Sequence, residues 1–181
     1  PNCGKTTLFN AYTGAGKKTA NWPGVTVALS EGSLMHRGRL VHLVDTPGIY
    51  SLDPYTMEET VTRQCIRDQK ADVIINVADA LLERSLFLTM QLLAEGKPLV
   101  LALNMMDLVR ERGMDIDIGR LSRLLGGIPV IPVSARRRTG LEELMDAAVE
   151  AARARRMADG SGRFVSGARY SVYRSHSAHS D

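Results

Sequence analysis

Three stretches dominated by Val, Ile, Leu and Ala, DVIINVAD (72–79), PLVLALN (98–104) and IPVIPVS (128–134), limit the possible folds most tightly. A strand with one wet face alternates apolar and polar residues. A strand without that alternation is buried on both faces, as parallel strands are when helices cover a sheet on both sides. Two further strand-like stretches, VTVALSEGSLM (25–35) and LVHLVD (40–45), precede them, and helical periodicity fills 5–13, 57–69, 83–95, 115–125 and 140–156. The expectation is an α/β fold, a mainly parallel sheet with helices on both faces. One connection departs from that pattern: HRGR (36–39) is too short for a crossover, so it predicts a hairpin and one antiparallel edge strand.

At 181 residues the chain suits a single core. The text from Met157 to Asp181, rich in Ser, Gly and Arg without a sustained period, reads as a disordered or linker tail (157–181) after a folded unit at 1–156. Apolar residues at 44% and charged residues at 24% are those of an ordinary globular protein. The net charge of +3 comes from the end of the chain: six arginines and two aspartates fall in 153–181, leaving 17 basic and 18 acidic residues elsewhere. A near-neutral body offers no basic face, so no nucleic-acid partner is expected. Cys3 and Cys65 lie in no paired or metal-binding spacing, which favours a reducing, cytoplasmic setting. No apolar run approaches the ~18 to 20 residues of a membrane helix.

Short motifs lie at the ends of the predicted strands. PNCGKTT (1–7) matches the last six positions of G-x-x-x-x-G-K-[ST] and one residue more, which puts Pro1 at the third position. That spacing predicts that the first glycine and the strand before it lie upstream of Pro1, with that strand in the middle of the sheet. In such a loop the backbone N–H groups and the following helix N-terminus cradle phosphates, Lys5 reaches the β and γ phosphates, and Thr6 offers a hydroxyl to Mg²⁺. LVDTPG (43–48) puts Asp45 at a strand end as a Mg²⁺ carboxylate, with Gly48 in the turn that follows. Thr26, between these two motifs, is a candidate for a second hydroxyl on the Mg²⁺ side. ALNMMD (102–107) sets Asn104 and Asp107 three apart, and a carboxylate there accepts hydrogen bonds from guanine N1–H and N2, which adenine lacks. The commonest form of this motif has lysine where Met105 stands. PVSARRRTG (132–140) then offers Ser134 and Ala135, with a backbone N–H for the guanine carbonyl oxygen. Each motif is weak alone, and an Asx turn or a helix cap would explain any one of them. In this order, each at a strand's carboxyl end, they spell a GTPase binding GTP or GDP with Mg²⁺.

Three strings make the match more specific: NWPGVTV (21–27), DTPGIYSL (45–52) and LNMMD (103–107). With them, residues 1 to 155 resemble a translation-factor-like P-loop GTPase, the G domain of the ferrous iron transporter FeoB family. The resemblance implies a phosphate loop of Pro1, Asn2, Cys3, Gly4, Lys5, Thr6 and Thr7, and a first switch through Gly24, Val25, Thr26, Val27 and Ala28. It makes Asp45, Thr46, Pro47 and Gly48 the Mg²⁺ and γ-phosphate turn, Asn104, Met105, Met106 and Asp107 the guanine reader, and Ser134, Ala135 and Arg136 the last base contact. Thr6, Thr26 and Asp45 would serve Mg²⁺, and Asn2 would help bind an activating K⁺. Asn2, Lys5, Thr26 and Gly48 would carry hydrolysis, slowly, because Ile49 stands where many GTPases have a water-orienting glutamine. Ala20 and Ala28 depart from the family's usual glycine and glutamate. The resemblance further implies a membrane transporter domain in the same parent protein, at the cytoplasmic face of a bacterial inner membrane, with homo-oligomerisation open. Two other functions stay in view, a soluble Era- or EngA-like GTPase of ribosome or tRNA work and a guanine-nucleotide-binding module that does not hydrolyse.

Overall fold

The computed structural model describes residues 3–14, 18–21, 28–46, 57–67, 72–80, 85–158 and 170–176. In chain order the elements are α1 (Cys3–Thr13), β1 (Lys18–Asn21), β2 (Ala28–His36), β3 (Arg39–Asp45), α2 (Met57–Arg67), β4 (Val73–Asp79) and α3 (Ser85–Ala94). There follow β5 (Leu99–Asn104), α4 (Met106–Glu111), α5 (Ile118–Leu124), β6 (Val130–Pro132), α6 (Leu141–Ala158) and β7 (Tyr170–His176). The strands form one sheet in the order β1-β2-β3-β7-β4-β5-β6.

The antiparallel edge follows from local chemistry. His36 pairs with Arg39 across a two-residue turn in which Arg37 (φ 48°) and Gly38 (φ 76°) both take positive φ. That is the backbone of a type I′ turn, whose twist suits a hairpin. The edge is one strand longer than expected, because β1 pairs outside β2. Gly32 in β2 permits a close approach: a Cβ there would sit 2.5 Å from Thr13 Cγ2 at the end of α1.

From β3 onward the pairing is parallel. Every residue of β5, and all of β4 but Asp79, is buried, as expected of parallel strands between two helical layers. On one face Leu8 and Phe9 of α1 and Leu144, Met145 and Ala148 of α6 pack with Val41, Leu43, Val73, Ile75 and Val77. On the other face, Ile66 of α2 and Leu88 and Leu92 of α3 pack with Ile74 and Leu99. Asn76, buried in β4, receives the Thr89 hydroxyl as a donor, so its burial leaves its carbonyl oxygen satisfied.

The end of the chain differs from the expectation of a linker tail over 157–181. Residues 170–176 enter the sheet between β3 and β4, pairing Leu43 with Val172 on one side and Ile74 with Tyr173 on the other. This is the central position expected for the strand preceding the phosphate loop. The physical reason lies in the two neighbours, whose facing backbone edges need hydrogen-bond partners inside a sheet. A segment with β-forming Tyr, Val and Tyr supplies those partners even though it is poor in aliphatic side chains.

Candidate functional site

The carboxyl ends of the parallel strands gather the chemistry-bearing residues: Asp45 ends β3, Asp79 ends β4 and Asn104 ends β5. In open α/β sheets this is the edge outside which ligands bind.

The base side is built most completely. Asn104 is buried, its Oδ1 accepts the Ala135 N–H at 3.1 Å, and its backbone O accepts Ala80 N–H at 3.1 Å. That side chain therefore ties the end of β5 to the loop after β6. Met105 then takes the left-handed conformation (φ 64°, ψ 30°), an uncommon state for a side-chain-bearing residue, and turns the chain into α4. Met106 N–H donates to Val133 O at 3.3 Å, which anchors the start of that helix on the same loop.

This turn brings Asp107 inward. Its side chain is 5% exposed, and Oδ2 accepts no hydrogen bond. Arg137 Nε lies 3.6 Å from it, close enough for an ion pair and too far for a hydrogen bond. A buried carboxylate oxygen without a donor is costly, and it marks a place where a ligand N–H would be welcome.

The loop after β6 completes this side. Ser134 and Thr139 exchange backbone hydrogen bonds of 3.1 Å each way, and Ser134 Oγ accepts Arg137 N–H at 3.2 Å. Gly140 closes the loop with φ +76°, and a Cβ there would lie 2.3 Å from Pro132 O. Between α4 and the loop is a cavity of about 310 Å³ lined by Met106, Asp107, Glu111, Pro132, Arg137 and Thr139 among others. That volume is at the small end of ligand pockets, ~300–1,000 Å³.

On the phosphate side the backbone of Cys3, Gly4, Lys5, Thr6 and Thr7 forms the first turns of α1. Asp45 is half-buried at the end of β3, and Thr46 beside it is buried. Tyr12 fixes this helix to the base side by donating its hydroxyl to Leu141 O at 2.6 Å, and burial pushes its phenol pKa well above the ordinary value. Pro1, Asn2, Gly24, Val25, Thr26, Val27, Pro47, Gly48 and Ile49 lie outside the described residues, while Ala28 opens β2.

The structure thus brings Asn104, Met106, Asp107, Ser134 and Ala135 together around one loop. Arg136, expected there as a base contact, is exposed, as is its neighbour Arg137, which lines the cavity. Sequence reasoning missed Glu111, Pro132, Arg137 and Thr139. Arg137 in particular reads from sequence as one of three equivalent loop arginines, and only the Ser134–Thr139 closure singles it out. Asp107 lies in the first turn of α4 and does not cap α5. Asp117 does, accepting Arg120 N–H at 2.9 Å. Among the described residues no group of three or more His, Cys, Asp or Glu could hold a metal ion, and no helix is long and apolar enough to cross a membrane.

Comparison with known proteins places these residues in context. A family model described as ferrous iron transport protein B matches residues 1–148. The Fe(2+) transporter FeoB of Legionella pneumophila (strain Paris) is 47% identical over 149 residues, covering 80% of this chain and 20% of that protein. The chain therefore spans about a fifth of the length of such relatives. Among solved structures, the cytosolic domain of L. pneumophila FeoB superposes with a TM-score of 0.75 at 46% identity, over 83% of this chain and 60% of the other. The cytosolic domain of T. maritima FeoB in a GMPPNP form gives 0.78 at 42% identity, over 84% and 60%. The FeoB G-domain from Methanococcus jannaschii gives 0.72 at 40% identity, over 84% and 92%. The fold is that of these G domains.

Proposed function

Since the chain belongs to the ferrous iron transport protein B family, we propose that it is the guanine-nucleotide-binding domain of an Fe(II) transporter, a GTPase acting as the transporter's switch. The observation that carries the base reading is the buried Asp107 Oδ2, which accepts no hydrogen bond. Guanine offers N1–H and the N2 amino group to such a carboxylate, whereas adenine presents a ring acceptor at N1. Asn104 Oδ1 accepts the Ala135 N–H and so ties the end of β5 to the loop after β6, and Ser134 orders that loop. That T. maritima FeoB is known in GDP and GMPPNP forms supports the same reading.

Hydrolysis rests on the other side of the site. The groups expected to serve Mg²⁺, the Asp45 carboxylate that ends β3 and the Thr6 and Thr26 hydroxyls, are all hard oxygen ligands, the set that suits it. Bound there with GTP, Mg²⁺ would offset charge on the β and γ phosphates. Lys5 would bind those phosphates, and Gly48 would offer a backbone N–H to the γ-phosphate. Ile49 stands where many GTPases have a water-orienting glutamine and cannot hydrogen-bond to the attacking water, so turnover would be slow. Asn2 would help hold a K⁺ whose charge stands in for a catalytic cation. Transport of Fe(II), and a place at the cytoplasmic face of a bacterial inner membrane, belong to the parent protein.

The test is nucleotide selectivity. Calorimetric titration should show GDP bound and ADP not. Asp107→Asn should weaken GDP by roughly tenfold or more, the loss of a charge-assisted hydrogen bond, and favour xanthosine diphosphate, whose 2-carbonyl an amide can donate to. Equal affinity for GDP and ADP would overturn the base reading. In the same preparation, GTP turnover in K⁺ should exceed that in Na⁺, and no turnover in either would leave a binding module without hydrolysis.

A further inference from the structure

Arg137 reaches two carboxylates of very different surroundings. Its Nη2 lies 2.8 Å from Glu111 Oε1, a charge-assisted hydrogen bond, while its Nε stands 3.6 Å from Asp107 Oδ2. The Glu111 side chain is 53% exposed and the Asp107 side chain 5%. The guanidinium is therefore bonded to the outer carboxylate and only faces the inner one. Its backbone is fixed, because Ser134 Oγ accepts the Arg137 N–H inside the closed 134–139 loop, so any displacement of the guanidinium must come from the side chain. That side chain is 57% exposed and faces Asp107 Oδ2, which is buried and accepts no hydrogen bond.

We propose that Arg137 is a latch on the base pocket: it shields Asp107, must leave Oδ2 before a guanine N–H can dock there, and pivots on Glu111 as it does so. The latch rests on the reading of Asp107 as the guanine acceptor. Two cationic or N–H donors cannot approach the same oxygen from the same side, so the guanidinium and the base compete for it. Glu111, by holding Nη2 outward, keeps the guanidinium from closing fully onto Asp107. Arg137 and Glu111 thus act in opposite directions on nucleotide entry. A pair that merely stiffened the loop would act in the same direction.

The experiment measures GDP association and dissociation by stopped flow, and affinity by calorimetry, on the full chain. Arg137→Gln should associate with GDP about three- to tenfold faster, the scale of a partly exposed ion pair. Glu111→Gln should associate about two- to fivefold slower, since the released guanidinium then settles on Asp107. The double variant should follow Arg137→Gln, because Glu111 acts only through the latch. Weaker or slower GDP binding by Arg137→Gln would show that the guanidinium holds the base, and would overturn the latch. So would single variants that change in the same direction. Failure of the underlying reading is seen separately: it appears as no GDP preference in the unaltered chain, or as no loss in Asp107→Asn. Unchanged rates in Arg137→Gln, with both of those controls positive, overturn the latch alone.

Discussion

The two sides of the sheet are assembled in opposite ways. The base side, β4, β5 and β6 with α4 and the start of α6, is made from segments that follow one another along the chain. Each is fastened to the next by a named bond: Ala80 N–H to Asn104 O, Ala135 N–H to Asn104 Oδ1, and Met106 N–H to Val133 O. The phosphate side, β1, β2 and β3, is an antiparallel meander with its own local hairpin. Its sheet continues to the base side through β7, which pairs with β3 over five residues and with β4 over five. Asp45 and Asp107, proposed to serve one site, thus belong to differently joined structures. The first depends on a strand more than a hundred residues away, the second on its immediate neighbours. Helices α1 and α6 roof both sides and add a second, apolar connection.

The largest expected effect comes from breaking the joint. Val172 sits mid-strand in β7, opposite Leu43 on one side and Val73 on the other. Val172→Pro removes a ladder donor and forces the strand apart, a loss of about 3 kcal/mol or more. Calorimetry should show the melting temperature falling by roughly 6–12 °C for a chain of this size. GDP affinity should fall too, although Val172 belongs to neither side of the pocket. An unchanged melting temperature would mean that the helical roof alone unites the two sides. Next in size is the base side's own fastening. Asn104→Ala leaves the buried Ala135 N–H without its acceptor, a loss of about 1–3 kcal/mol. Amide hydrogen exchange should quicken in 133–139 while the β2–β3 hairpin keeps its protection. Quickening in both places would contradict a locally built pocket.

The smallest effect is a matter of pH at the far end of the meander. Asp146 of α6 accepts His36 Nε2 at 2.6 Å and Arg37 Nε at 2.7 Å, tying the hairpin tip to the helical roof. The Arg37 hydrogen bond, and then that from His36, hold the Asp146 carboxyl at about 2, below its ordinary 3.8. A carboxyl depressed on folding contributes its stability above the unfolded value and loses it as pH falls through the folded one. The melting-temperature gap between the unaltered chain and Asp146→Asn should therefore be full above about pH 4 and close by about pH 2. A gap independent of pH over that range would remove the carboxylate's charge from the account.

Much of this division was legible in the sequence. The doubly buried β4 and β5 follow from apolar runs without alternation, and the hairpin from the brevity of HRGR. Asn104 and Asp107 could be placed because their spacing follows a strong strand. Other elements carried no comparable signal. Strand β1 is four residues of mixed polarity, KTAN, at an edge. Helix α4 is six residues long and begins directly behind a left-handed methionine, so no periodicity had room to appear. Strand β7, YSVYRSH, has a single aliphatic residue, and its place is set by the unsatisfied edges of β3 and β4 rather than by its own composition. Arg137 could not be told from Arg136 and Arg138, since what separates them is a loop closure between Ser134 and Thr139 that no residue type announces.

The position of β7 also governs the order in which the molecule can be made. On the ribosome the chain emerges from its first residue onward, so β1 to β6 are all outside before Tyr170 appears. Among the described residues before β7 none pairs with the facing edges of β3 and β4, the kind of backbone that captures strands from other chains. The sheet described here closes only when residues 170–176 arrive, by a pairing of high sequence separation that is slow for entropic reasons. Synthesis rate and temperature, which set how long those edges stand open, should therefore decide how much of the protein reaches its fold.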